Sequence, residues 1–254
     1  MNSTTTIKKA KFPLWAVLVW LLLWQLGSMA LGKEILLVSP ISTLLRLSVL
    51  IRTAEFWQSI IFSLVRITSG FLLASLAGAL LAAGAARFKH VQELLAPLMM
   101  TVKAIPVASF TILVLLWVPS RNLSVLISFL MVLPIIYTNV LNGIQSTDPQ
   151  LLEMAKVFKL PARRTVRFIY VPQVLPFFRA ACSVALGLCW KSGIAAEVIG
   201  LPGGSIGEKL YNAKIYLDTP DLFAWTLVIV LISMIFEKLF LALLDMGVFR
   251  LERM

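Results

Sequence analysis

The strongest constraint on this chain is the recurrence of apolar stretches, each near the roughly twenty residues that an α-helix needs to cross a bilayer. They fall at about 13–32, 59–85, 95–118, 122–144, 176–198 and 221–244, and the segments between them are too short for a separate soluble module. With 59% hydrophobic and 14% charged residues, the chain carries more apolar surface than a water-soluble core can hide; soluble domains keep about a quarter of their residues charged. The pattern predicts an all-α polytopic membrane protein with six transmembrane helices, a single domain over 1–254. The first apolar run follows Lys8, Lys9 and Lys11 and carries Trp15, Trp20 and Trp24. It is longer than the apolar core of a signal peptide, so it is expected to remain as a first span.

Charge predicts orientation. One set of loops holds twelve Lys/Arg, among them Lys8, Lys9, Lys11, Arg87, Lys89, Lys156, Lys159, Arg163, Arg164, Arg167, Arg250 and Arg253, and the opposite set holds six. The positive-inside bias then places both termini in the cytoplasm. The net charge of +11 reads as basic loops facing an anionic leaflet, and no Lys/Arg run forms a nucleic-acid patch. Ala74, Gly78 and Ala82 repeat at four-residue spacing, which predicts a helix face packed closely on a neighbouring helix. Cys182 and Cys189 lie seven apart, about 10 Å along one helix, too far for a disulfide. The single histidine, His90, lies beside Lys89 and is expected to be solvated.

The most informative loop separates the fourth and fifth apolar stretches. Thr147 or Asp148 can cap a short helix with Pro149 at its first position. Leu151, Leu152, Ala155 and Phe158 then form an apolar stripe at helical spacing. Pattern alone leaves two partners for that stripe: the bilayer surface with the chain's own bundle, or another protein.

The order Glu153-Met154-Ala155, three residues, Lys159, nine residues, then Ile169-Tyr170-Val171-Pro172 resembles the "EAA" loop of binding-protein-dependent ABC importer permeases. Met154 stands where that pattern has a small residue, Lys159 where it has glycine, and Val171 where it has leucine. Ser63 to Phe71 resembles the opening of the family's second span, and Ala104-Ile105-Pro106-Val107-Ala108 its third. Trp190 to Gly200, with Ala195-Ala196-Glu197-Val198-Ile199, resembles the fifth span of the nitrate, sulfonate and taurine branch.

The resemblance implies a type I ABC importer permease fold in a prokaryotic inner membrane, with a permease core over 57–243 and a cytoplasmic coupling loop over 147–172. It implies alternating access, driven by a separate cytosolic ATPase that docks on Leu151, Leu152, Glu153, Met154, Ala155, Phe158 and Lys159. A second permease copy and an extracytoplasmic substrate-binding protein complete the implied partners. ATP is used by the ATPase, and this chain is expected to bind no cofactor or metal and to be no enzyme.

Charged groups inside spans are costly and usually face the bundle interior or a wet path. Lys103, Trp190, Lys191 and Glu197 are therefore candidates for the substrate pathway, with a bend at Pro106 exposing Lys103. Arg66 is expected to be structural and to pair with Glu197. A positive interior favours a small organic solute that is anionic, carboxylated or sulfonated over a metal cation.

Two other readings compete. A secondary transporter would show more spans with repeat symmetry. An intramembrane enzyme would gather a catalytic set around Glu197 or Glu237, and none is visible. Leu201 to Lys209 has the glycines of a phosphate loop but not its Gly-Lys-Ser/Thr order, so nucleotide binding there is not expected.

Overall fold

A computed structural model describes the backbone of residues 14–252 and the side chains of residues 15–247. The expectations resting on Lys8, Lys9, Lys11, the side chain of Arg250, Arg253 and the termini lie outside these described residues. The helices are α1 (Leu14–Leu31), α2 (Pro40–Leu50), α3 (Ala54–Arg87), α4 (Lys89–Ala104), α5 (Val107–Val114), α6 (Ser120–Gln145), α7 (Pro149–Val157), α8 (Ala162–Thr165), α9 (Val171–Gly200), α10 (Ile206–Ile215) and α11 (Thr219–Glu252). A π-helical turn, Val166–Tyr170, joins α8 to α9.

Local chemistry fixes these boundaries. Ser39, Thr53, Asp148 and Ser205 each accept a backbone N–H of the helix they precede, satisfying donors that have no partner within the helix. α9 ends at Leu201, whose φ of 48° is left-handed, and Pro202 follows, where a helix cannot continue.

Among the described residues four helices are long and apolar enough to span: α3, α6, the continuous run 162–200, and 219–247 of α11. The expected third span, 95–118, is not one straight helix. It is broken into α4 and α5, bent by 103°. Ile105 and Pro106 are extended at the break, because proline removes a donor and pushes the preceding residue out of helical geometry. Counting the bent pair as one gives five spans. The expected first span is α1, a shorter apolar helix over its described residues, so length alone does not supply a sixth. The sequence reading also missed α2 and α10.

The core is a three-helix packing of α3, α6 and α9. Ile67, Phe71, Ala74, Ile136, Leu186 and Trp190 are buried within it. The predicted small-residue face holds: Ala74, Gly78 and Ala82 are buried, and Gly78 lies against Ile136 of α6. One helical turn from Ala74, a Cβ on Gly70 would lie 2.4 Å from the Val125 carbonyl oxygen, so only glycine permits this approach.

α11 is fastened at both ends. Arg46 of α2 makes a two-point hydrogen bond to Asp221, and Arg179 of α9 makes another to Asp245, with Nη2 to Oδ2 at 3.0 Å in each. Cys182 and Cys189 are buried and free.

Candidate coupling loop and translocation face

α7 begins where Asp148 accepts the Gln150 N–H at 2.8 Å and Pro149 takes the first helical position. Gln173 of α9 accepts the Asp148 N–H at 2.9 Å, which ties the start of the loop to the helix that follows it. At the other end the Leu160 N–H donates to Ala155 O at 2.9 Å and the Lys159 N–H to Lys156 O at 3.1 Å. These are the paired bonds of a Schellman turn, which needs a left-handed residue at its turning point. Lys159 is that residue, with φ 48°, and it stands where the resembled pattern has glycine.

The turn decides which residues face outward. Leu152, Ala155, Lys156 and Lys159 line a cavity of about 290 Å³ together with Thr165 and Tyr170. Ala155 is only 5% exposed and Leu151 and Leu152 are half-buried. The expected docking stripe of Leu151, Leu152, Ala155 and Phe158 is thus divided, because Leu152 and Ala155 turn to the cavity within their own chain while Phe158 is exposed. The outward apolar face is Met154, Val157 (77% exposed) and Phe158 (71% exposed). These positions are spaced i, i+3, i+4, so they form one helical face. Glu153 and Lys159 are exposed beside it.

At the broken span Lys103 is exposed, and its Nζ donates to Thr138 Oγ1 at 3.1 Å. Lys191 lines a cavity of about 190 Å³ with Val107, Met131, Leu188, Ser192 and Ala195. Among the described residues no carboxylate lies within salt-bridge distance of either ammonium. Thr138 and Met131 are seven apart on α6, two turns along one face. Both ammoniums therefore border the same face of α6.

Trp190 and Glu197 do not share that face. Trp190 is buried against Phe236, with ring centroids 6.2 Å apart. Glu197 is 0% exposed. Its Oε2 accepts Ser63 Oγ–H at 2.7 Å and the Gly207 N–H at 3.3 Å, and Ser63 Oγ in turn accepts the Ile206 N–H at 3.0 Å. The expected Arg66–Glu197 ion pair is not formed. Arg66 donates instead to the Arg121 carbonyl and to Asn122 Oδ1, over the Phe62 ring. The main-chain carbonyl at the start of α6 lies within its reach, while Glu197 is already engaged by the first turn of α10. A Cβ on Gly207 would lie 2.3 Å from Glu197 Cβ, which records how closely α10 is seated on α9. This clamp was missed by the sequence reading. The Gly-Gly-Ser segment before α10 is its only local signal.

The Leu201–Lys209 segment is a loop and a capped helix start, with the Gly204 N–H donating to Glu208 Oε2 and Lys209 bonded to Glu55.

Among the described residues the chain is a helical membrane bundle of four spans, five with the bent pair, and one of its loops carries an outward-facing helix, an arrangement that suits a transport subunit. Residues 70–252 match the family described as binding-protein-dependent transport system inner membrane component, and the chain belongs to that family. It is similar to the nitrate import permease protein NrtB of Synechococcus elongatus, 25% identical over 77% of this chain and 73% of that protein. SsuC of Escherichia coli, named for aliphatic sulfonates transport, is 27% identical over 91% of this chain and 85% of its own length. A crystal structure of an amino acid ABC transporter shares the fold with a TM-score of 0.51, at 19% identity over 76% of this chain and 90% of that one. The chain is thus a multi-pass inner-membrane permease subunit of an ABC importer, a transport component rather than an enzyme. Membership implies an ATPase and a substrate-binding protein as partners.

Proposed function

We propose that α7 is the helix through which a separate cytosolic ATPase drives this permease, and that the solute moved is a small organic or inorganic anion. The observation that carries the coupling role is the outward face of Met154, Val157 and Phe158 on a helix braced by Gln173 and by the Lys159 turn. Large apolar side chains left in contact with water mark a protein interface. The permease core of 57–243 would then act with the 147–172 loop as its lever, both termini on the ATPase side.

Two copies of the chain would enclose the pathway, with the α6 face bordered by Lys103 and Lys191 turned toward it. An unpaired ammonium is costly against lipid, which supports a wet or protein-covered face. Its charge favours an anion, and two relatives are named for nitrate and sulfonate.

The test is reconstitution of the chain in liposomes with its cognate ATPase and binding protein. Labelled nitrate and an alkanesulfonate serve as probes. ATP-dependent, saturable uptake of one anion is expected. Accumulation driven by an ion gradient without ATP would establish a secondary transporter instead.

A further inference from the structure

The end of the bundle that carries α7 has a second feature, on the outer wall of α3, α6 and α9. Two contiguous cavities, of about 290 and 310 Å³, share Ala83 of α3, Ile144 of α6, and Val166 and Tyr170 of the π-helical turn. The larger continues along α9 past Val174 to Phe178, and its lining is apolar apart from Tyr170. The other ends at Arg87, whose guanidinium lies over the Phe88 ring. No carboxylate lies within salt-bridge distance of Arg87 among the described residues.

The register gathers charge at one end. Ala83 and Arg87 are four apart on α3, so they lie on one helical face. Arg163 is exposed and precedes Val166 by three, so the two are neighbours on one helical face at the start of the furrow. From Val166 to Phe178 the apolar wall runs about 18 Å at the helical rise per residue. One leaflet of hydrocarbon is about 15 Å deep.

We propose that this furrow binds one anionic phospholipid, with an acyl chain along the Tyr170–Phe178 wall and its phosphate at Arg87 and Arg163. Basic pockets between helices at the cytoplasmic membrane surface are suited to such headgroups. A second copy of the chain would bring its own arginines to the same face and repel. A cytosolic partner cannot reach apolar wall that lies a full leaflet deep. The proposal rests on the reading of this end as the cytosolic boundary of the membrane. Tyr170 also lines the cavity beneath α7, so the bound lipid shares a wall with the helix assigned to ATPase docking.

The experiment is native mass spectrometry of the delipidated permease, with and without its ATPase, titrated separately with phosphatidylglycerol and phosphatidylcholine. One tightly held phosphatidylglycerol per chain is expected. Arg87→Gln with Arg163→Gln should lower the preference for it by about thirtyfold, from the usual contribution of each cation at an anionic surface. Ala83→Trp should fill the furrow and remove both lipids. The arginine positions are exposed, so that variant decides the matter even where Ala83→Trp fails to fold. An unchanged phosphatidylglycerol preference in the double variant would overturn the proposal, as would a furrow occupied by a second copy in the lipid-free protein. Should the ATPase fail to associate with the wild type, the coupling reading falls, while the titration of the permease alone still reads the furrow.

Discussion

Lys159 occupies a backbone conformation that glycine adopts without strain. A left-handed non-glycine residue costs about 1–2 kcal/mol, and the two Schellman bonds at Leu160 and Lys159 hold it there. Lys159→Gly should therefore tighten the turn after α7, reducing amide hydrogen exchange at 155–160 by severalfold; faster exchange would contradict this account. Ser63 and Glu197 form the other decisive pair. Ser63→Ala removes one hydroxyl that serves the Glu197 carboxylate and the Ile206 N–H together. Leaving buried polar groups without partners costs about 1–3 kcal/mol, so a clear drop in melting temperature in detergent is expected. An unaltered melt would show that the clamp on α10 bears no weight. Glu197 was legible in the sequence as a carboxylate inside an apolar run, but its partners were not. Ser63 lies 134 positions away, and no local pattern records a contact of that span. The same limit explains why Arg66, correctly expected to be structural, was assigned the wrong acceptor: main-chain carbonyls leave no mark in composition.

The helices themselves were the readable part. α3, α6, α9 and α11 declare themselves by apolar length, and α7 by a cap and a proline. The break in the third stretch was visible as Pro106, yet the 103° bend depends on what α4 and α5 pack against. α2 and α10 escaped because both are short and flanked by apolar segments that dominate any window average. Which face of α7 turns outward also lay beyond the sequence, because a stripe of four apolar residues looks alike whether Tyr170 or a partner covers it. Packing between elements gives a sharp contrast within one helix. Gly70→Ala drives a Cβ into the Val125 carbonyl, whereas a Cβ on Gly84 meets nothing within 4 Å. Gly70→Ala should lower the melting temperature by several degrees, while Gly84→Ala should leave it unchanged or raise it, because alanine is favoured over glycine inside a helix by roughly 1 kcal/mol. Equal melts for the two variants, measured in the same detergent, would contradict the close α3–α6 contact.

As a whole, the chain divides its work between two ends and one face. The end with α7 carries the outward apolar side chains proposed above to meet the ATPase. The opposite end is closed by the Glu197 clamp and by the ties of Lys209 to Glu55 and Arg66 to the Arg121 carbonyl. Between them lies the α6 face bordered by Lys103 and Lys191, which is the proposed path of the solute. Coupling and passage should then separate under mutation. Val157→Asp with Phe158→Asp places charge on the proposed docking face without touching the core, and Lys191→Met alters the proposed path without touching α7. The most direct measurement compares both variants with the wild type for recovery of the ATPase on the purified permease, and for ATP-driven uptake in liposomes. Loss of interface anchors commonly exceeds about 2 kcal/mol, roughly thirtyfold in affinity. The Val157/Phe158 variant should therefore lose the ATPase and all ATP-driven uptake while still inserting and melting normally, and Lys191→Met should keep the ATPase and lose uptake. Full recovery of the ATPase with undiminished ATP-driven uptake in the Val157/Phe158 variant would contradict the central claim that α7 is the coupling helix.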